Sequence, residues 1–258
     1  MAYPWSYDEL TKTVEIHPNF NIPLTGLPDD TAIIIFDNYH DSHFEASKFN
    51  QPIYKKDLPP NVQRINFSIY FNQPIGKGSL PDSITHLSFG KCFNQPLDKG
   101  SLPDSITHLT FGDYFNQPID KDSLPSSLTH LTLGWYFNQP VRKDSFPSSI
   151  THLFFGYYYD QPLSKDNLPD SLTSLTLSRL NSAQSLDNLP NSLTHLEIYL
   201  KFEQEINKLP DSLITLELPF GYTKLINNLP YGLKILKIWK IYPIAKIKIP
   251  FGCKIIKK

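Results

Sequence analysis

The tetrapeptide Phe-Asn-Gln-Pro starts at Phe49, Phe71, Phe93, Phe115 and Phe137 and returns as Tyr159-Asp160-Gln161-Pro162, each copy 22 residues after the last. Six copies without an insertion or deletion make the repeat itself the unit of structure. A chain of this kind is expected to be a solenoid, in which each copy stacks only on its neighbours. Such a stack presents one long, ladder-like surface and seldom a closed pocket.

A full unit runs from Leu80 to Ser101, and its Leu-Pro element extends further than the tetrapeptide. It begins at Leu27, Leu58, Leu80, Leu102, Leu124, Phe146 (Phe-Pro), Leu168, Leu189, Leu209, Leu229 and Ile249 (Ile-Pro), spaced by 22 residues in the middle and by 21 and then 20 towards the end. The expectation is a mainly β solenoid of about eleven rungs, the first and last incomplete, with one parallel sheet. Residues 1–19 read as an N-terminal cap, 20–240 as the repeat solenoid, and 241–258 as a basic C-terminal cap with the incomplete last rung. Asp37 to Lys48 is longer than its counterpart in other units and reads as a polar surface loop.

Within the Leu80 unit, Leu87-Ser88-Phe89 alternates apolar, polar, apolar, the period of a half-buried strand. Pro81 fixes φ and opens a turn in which Ser83 can bond the local backbone, and Pro96 removes a donor on the opposite side of the loop. No full unit holds ten residues of helical period. The core side chains are expected to be Leu80, Ile84, Leu87, Phe89, Phe93 and Leu97. The strand leucines Leu87, Leu109, Leu131, Leu153, Leu175, Leu196, Leu216 and Leu236 should form one inward line, which Ile256 should continue in the last rung.

The Leu-x-x-Leu-x-Leu pattern after Leu-Pro-x-Ser resembles a short leucine-rich repeat. Together with Phe-Asn-Gln-Pro and the literal Phe20-Asn21-Ile22-Pro23, the chain resembles the FNIP repeat family over about residues 20 to 240. The resemblance implies a leucine-rich-repeat-like protein-interaction module of a type found in amoebae and the large viruses that infect them. Some members carry an N-terminal F-box that recruits a ubiquitin ligase. Met1–Asn19 is too short for one and lacks its helical pattern, so a ligase link is expected only through a separate chain.

Two cysteines, Cys92 and Cys253, read as reduced thiols, and Met1 to Leu10 has neither a basic start nor an apolar run. With no stretch approaching a membrane span, a cytoplasmic protein is expected, in the host cytoplasm if the source is viral. Nine of the 24 basic residues, but no acidic residue, follow Glu217. The basic end could suit nucleic acid, but Trp239 and Tyr242 alone do not make a base-stacking surface. Nucleic acid is therefore not the expected partner, and Lys254, Lys257 and Lys258 read as solvated lysines protecting a sheet edge.

Aligning the copies turns positions into columns. His86, His108, His130, His152 and His195, interrupted by Ser174, should form a surface ladder pointing away from the core. Stacked along one line, they cannot converge as zinc ligands must. The Asn column from Asn50 to Asn138, between a Phe and a Pro that both read as buried, suits a structural amide ladder. The Ser column from Ser83 to Ser212 and the glycines at 90, 112, 134 and 156 read as turn chemistry. Ser, His and Asp recur in the central units, so no unit has a unique catalytic constellation. No enzyme activity, metal, cofactor or small-molecule substrate is expected.

Trp135, Tyr136, Phe154, Tyr157 and Tyr158 are the departure from this regularity. Neighbouring units carry Lys91, Cys92, Ser88, Asp113 and Tyr114 in their columns. Tyr and Trp are frequent interface anchors, so the expected function is binding of an unidentified protein partner across the strand face, centred on this cluster. The competing reading is that Tyr136 and Tyr158 merely continue a packing column begun at Tyr114.

Overall fold

The computed structural model describes residues 5–36, 47–163, 166–179, 186–200, 202, 205–206, 208–243 and 247–258. The polar loop expected within Asp37 to Lys48 falls almost wholly outside these residues. One 13-stranded sheet runs the length of the molecule in sequence order. The first strand, β1 (Trp5–Asp8), pairs antiparallel with β2 (Thr13–Ile16), and every later neighbour is parallel. This hairpin is the one departure from the expected all-parallel sheet.

The strands that follow are β3 (Ile33–Ile35), β4 (Arg64–Asn66), β5 (His86–Ser88), β6 (His108–Thr110), β7 (His130–Thr132) and β8 (His152–Phe155). They continue as β9 (Ser174–Arg179), β10 (His195–Leu200), β11 (Thr215–Glu217), β12 (Ile235–Ile238) and β13 (Lys254–Lys257). Each of β3 to β13 comes directly after one of the eleven Leu-Pro elements, so the motif count and the strand count coincide. Apart from a single 3₁₀ turn at Lys55–Asp57, the rest of each described rung is turn or extended backbone. Among the described residues no helix is long and apolar enough to cross a membrane.

Register follows the repeat. Leu87 pairs with Leu109, Leu109 with Leu131, and so on to Leu216 with Leu236, and all of these side chains are buried. Leu80, Ile84, Phe89, Phe93 and Leu97 are buried with them in one continuous cluster. At about 1.5–3 kcal/mol per buried side chain, a rung contributes too little alone and the stack is stable only collectively. The line breaks at the end: Ile255, not Ile256, faces Leu236, while Ile256 pairs with Lys237 in the outward column. Both are isoleucine, so alternation gave no means of choosing between them.

Hydrogen bonds between rungs replace several bonds expected within them. Ser83, Ser105, Ser149, Ser171, Ser192 and Ser212 each donate to a carbonyl of the preceding rung at 2.6–2.7 Å, rather than to their own turn. Each Asn of the amide ladder accepts the backbone N–H of the next Asn, as in Asn94 to Asn72 at 2.9 Å, and also the Gln amide of that next rung. The prolines beside them are exposed, not buried. Their role is to hold the chain extended, while Phe49, Phe71, Phe93, Phe115 and Phe137 stack inside at 6.1–6.2 Å.

The glycines are also explained differently. None of Gly90, Gly112, Gly134 and Gly156 has positive φ. A Cβ on Gly112 would lie 2.0 Å from the carbonyl oxygen of Gly90, and the other three would be as close to the rung before. Backbone approaches backbone here too closely for any side chain. Positive φ instead occurs in an outer-turn column, at Gly78, Gly100, Asp122 and Asp144.

Two outcomes follow from this packing. Gly112→Ala should lower stability by about 1–3 kcal/mol, as overpacking does, read as a fall in Tm. Deletion of residues 93–114 should leave a shorter protein that still melts cooperatively; loss of the cooperative transition would contradict a rung-by-rung stack.

Candidate functional site

Two surfaces lie side by side along the central rungs. On the sheet's outer face, Arg64, His86, His108, His130 and His152 are consecutive partners across β4 to β8. The four imidazoles stack at 4.2 Å centroid to centroid with planes within 12°. Ser174 follows His152, so His195 stands apart, as the sequence indicated.

A threonine ladder orients the rings. Thr107 Oγ1 donates to the Thr85 carbonyl and lies 2.9 Å from His108 Nδ1; Thr85, Thr129 and Thr151 repeat the arrangement. The hydroxyl has one proton to place between that carbonyl and Nδ1; when the ring is protonated, Nδ1–H is given to the threonine oxygen and Nε2–H is left for another acceptor. The Nε2 atoms advance rung by rung along one line and do not converge. Among the described residues, no group of three or more His, Cys, Asp or Glu could hold a metal ion.

Partial burial pushes the His86, His108 and His130 pKa values down. Positive neighbours push the same way: Arg64 and His130 on His86, His86 on His108, His152 on His130. Two unit charges 4 Å apart repel by about 1 kcal/mol in bulk water and about 4 kcal/mol near a protein surface, so full protonation of adjacent rings is opposed.

Beyond the next outward column, Ser88, Thr110, Thr132 and Phe154, a shallow groove of about 510 Å³ runs along the stack. The glycines at 90, 112, 134 and 156 line it, Lys91, Asp113 and Trp135 form its far side, and Phe154 ends the hydroxyl column. The far side is a ladder in its own right. Lys91 pairs with Asp113 at 3.6 Å, Trp135 stacks on Tyr157 at 5.2 Å, and the Arg179 guanidinium lies 5.4 Å over the other side of that stack, on Tyr157. Beside it Tyr136 stacks on Tyr158 at 4.8 Å and meets Tyr114 at 5.3 Å with the planes tilted by 44°, and Lys91 lies over Tyr114.

The five aromatic residues predicted from sequence are thus placed as follows. Trp135, Tyr136, Tyr157 and Tyr158 form one cluster, joined across the two columns by the edge-to-face contact of Tyr157 and Tyr158 at 4.9 Å. They occupy the turn after the strand, not the strand face; only Phe154 is on the sheet. Trp135, Tyr136 and Tyr158 are 43–49% exposed, whereas Tyr157 is half-buried. Trp135 and Tyr157 cover one face of each other, as do Tyr136 and Tyr158, so ring edges, the Tyr hydroxyls and the indole N–H make up much of what they expose.

The basic end differs from expectation. Lys258 is not a free edge lysine: its ammonium pairs with Glu217, a carboxylate only 3% exposed that Lys237 also approaches at 3.3 Å. Lys237 reaches Glu197 as well, at 3.6 Å. Glu197, Glu217 and Lys237 share the Ser88 column at 20-residue spacing, a signal visible in the sequence once that column is followed to the end.

The FNIP Repeat profile matches residues 49–92, 93–136, 137–179 and 183–221. The chain belongs to the FNIP repeat family. Among solved structures it is similar to CroV588, described as a novel circular LRR protein, with 35% identity and a TM-score of 0.74 over 95% of this chain and 40% of that one. It therefore spans well under half the length of CroV588. YopM from Yersinia enterocolitica WA-314 shares the fold at 18% identity, with a TM-score of 0.52 over 95% of this chain and 63% of YopM. No curated protein sequence matches. Solenoids of this leucine-rich-repeat-like kind commonly serve as protein-interaction scaffolds.

The lowered His86, His108 and His130 pKa values predict acid sensitivity. Above the ordinary imidazole pKa of about 6.5, folded and unfolded chains are both neutral at these positions. Below it the unfolded chain takes up protons first, so stability falls until the folded rings also charge. Tm should therefore drop from pH 7.5 to 5.5, and less so in a His86→Gln, His108→Gln, His130→Gln variant; an equal drop in that variant would remove the ladder from the explanation.

Proposed function

We propose that this FNIP-repeat solenoid is a non-catalytic scaffold that binds another protein over the groove and its aromatic ridge, with Trp135 and Tyr157 as the central contact. The observation that carries it is the exposed, self-stacked pair in a column where the next rungs hold Lys91, Asp113 and Arg179. The backbone hydrogen bonds there repeat with Ile69, Lys91, Asp113 or Trp135 in the column, so the stack does not require rings at these two positions.

Ring edges, hydroxyls and an indole N–H suit a partner presenting carbonyl and carboxylate oxygens. Nucleobases need a free aromatic face, and the Trp135–Tyr157 and Tyr136–Tyr158 stacks close the faces between their rings. The regular columns add to the scaffold reading, since the same Ser, Thr and His recur in successive rungs without a distinct pocket for chemistry. A ubiquitin-ligase association through a separate chain would use the same surface to hold its substrate.

Affinity capture from the native cell, followed by titration of the recovered partner, tests this reading. Trp135→Ala with Tyr157→Ala should weaken binding by about 2–4 kcal/mol, as hot-spot truncation does, with little change in Tm. Unchanged binding by a folded double variant would reject the aromatic ridge as the contact.

A further inference from the structure

We infer that the stacked histidines of β5 to β8, extended by Arg64 on β4, form an acid-activated binding strip for an extended, carboxylate-rich polypeptide segment. The strip goes beyond the aromatic contact and uses residues on the other side of the groove.

Four observations carry it. The rings are already held in one line at 4.2 Å by the threonine ladder, so no rearrangement is needed to use them. In the protonated ring Nδ1–H is held by a threonine oxygen, and Nε2–H meets no hydrogen-bond partner among the described residues. Protonation therefore yields a row of charged donors without turning a ring. Finally, the charged neighbours that act on His86 and His108 are positive. Arg64 continues the line, and the adjoining column on the same strands (Asn66, Ser88, Thr110, Thr132 and Phe154) carries no charge. Across the groove Lys91 and Asp113 neutralise each other.

Charge complementarity then selects the occupant. At neutral pH, burial and Arg64 favour the uncharged form of His86 and His108, and the strip attracts an anion weakly. On acidification the rings charge but repel one another along the stack. An anionic chain lying along the axis relieves that repulsion and draws in further protons, so ligand binding and proton uptake are linked. A polypeptide is favoured over a nucleic acid because Trp135 and Tyr157, and Tyr136 and Tyr158, are stacked on one another, and the faces between them are closed to bases.

The test uses the full chain and a fluorescein-labelled deca-glutamate peptide, titrated by anisotropy at low salt at pH 7.5 and 5.5. Affinity should rise about tenfold on acidification. His108→Gln with His130→Gln should lose most of that gain while matching the native protein at pH 7.5. Proton NMR should show the His86, His108 and His130 imidazoles titrating at higher pH with peptide present than without it. Trp135→Ala with Tyr157→Ala should keep the acid gain, which separates failure here from failure of the aromatic contact. A gain that persists in the histidine variant would mean general positive charge and would overturn the inference, as would no gain at all. Loss of the gain in the aromatic variant, or a thymidine decanucleotide binding as tightly as the peptide, would overturn it equally.

Discussion

Close approach of one rung's backbone to the next is the constraint on which the rest of the structure depends. Where a Cβ on Gly112 would sit 2.0 Å from the Gly90 carbonyl, the two rungs are in direct main-chain contact. With the parallel ladder this fixes the stacking distance and lateral position of each unit on the one before. Once that is set, a constant period places every side chain over its own copy. Leucine falls on leucine, Phe93 on Phe71, histidine on histidine. Serine hydroxyls and asparagine amides then find their partners one rung away because nothing nearer is in line.

The same geometry sets what the surface can do. A column of identical side chains can stack, share hydrogen bonds or share charge, but it cannot converge on a point. The imidazoles accordingly make a strip, not a metal centre, and the hydroxyls make a groove wall. The surface becomes individual where a column breaks its own rule, as at Trp135 and Tyr157 between the Lys91–Asp113 pair and Arg179. It does so again at Glu217, whose buried carboxylate is tolerable only because Lys237 and Lys258 both reach it.

Several parts of the site lay beyond the reach of sequence. Turn residues such as Ser83 and Gly90 have the same composition whether they serve a local turn or a neighbouring rung, and only the stack shows that they serve the neighbour. The prolines after Asn-Gln read as buried because a buried Phe precedes them, yet extended backbone turns them outward. The covering of each aromatic face by the next ring, and of Tyr157 by Arg179, depends on side-chain directions that no spacing reveals.

By itself the sequence determined the architecture. Eleven Leu-Pro elements mean the eleven parallel strands β3 to β13, which β2 joins without such an element, and period-2 alternation names the inward leucines, because a repeat that cannot bury its own apolar face must stack on copies of itself. It also named the histidine column and the aromatic cluster as lines of residues. Only the tertiary structure decided how those lines behave. It set the antiparallel hairpin of β1 and β2, the choice of Ile255 over Ile256, the capture of Lys258 by Glu217 and the threonine contact at each Nδ1 of the ladder. Each of these depends on which atoms meet across rungs, and a column shows that two residues are neighbours without showing which atom of one faces the other.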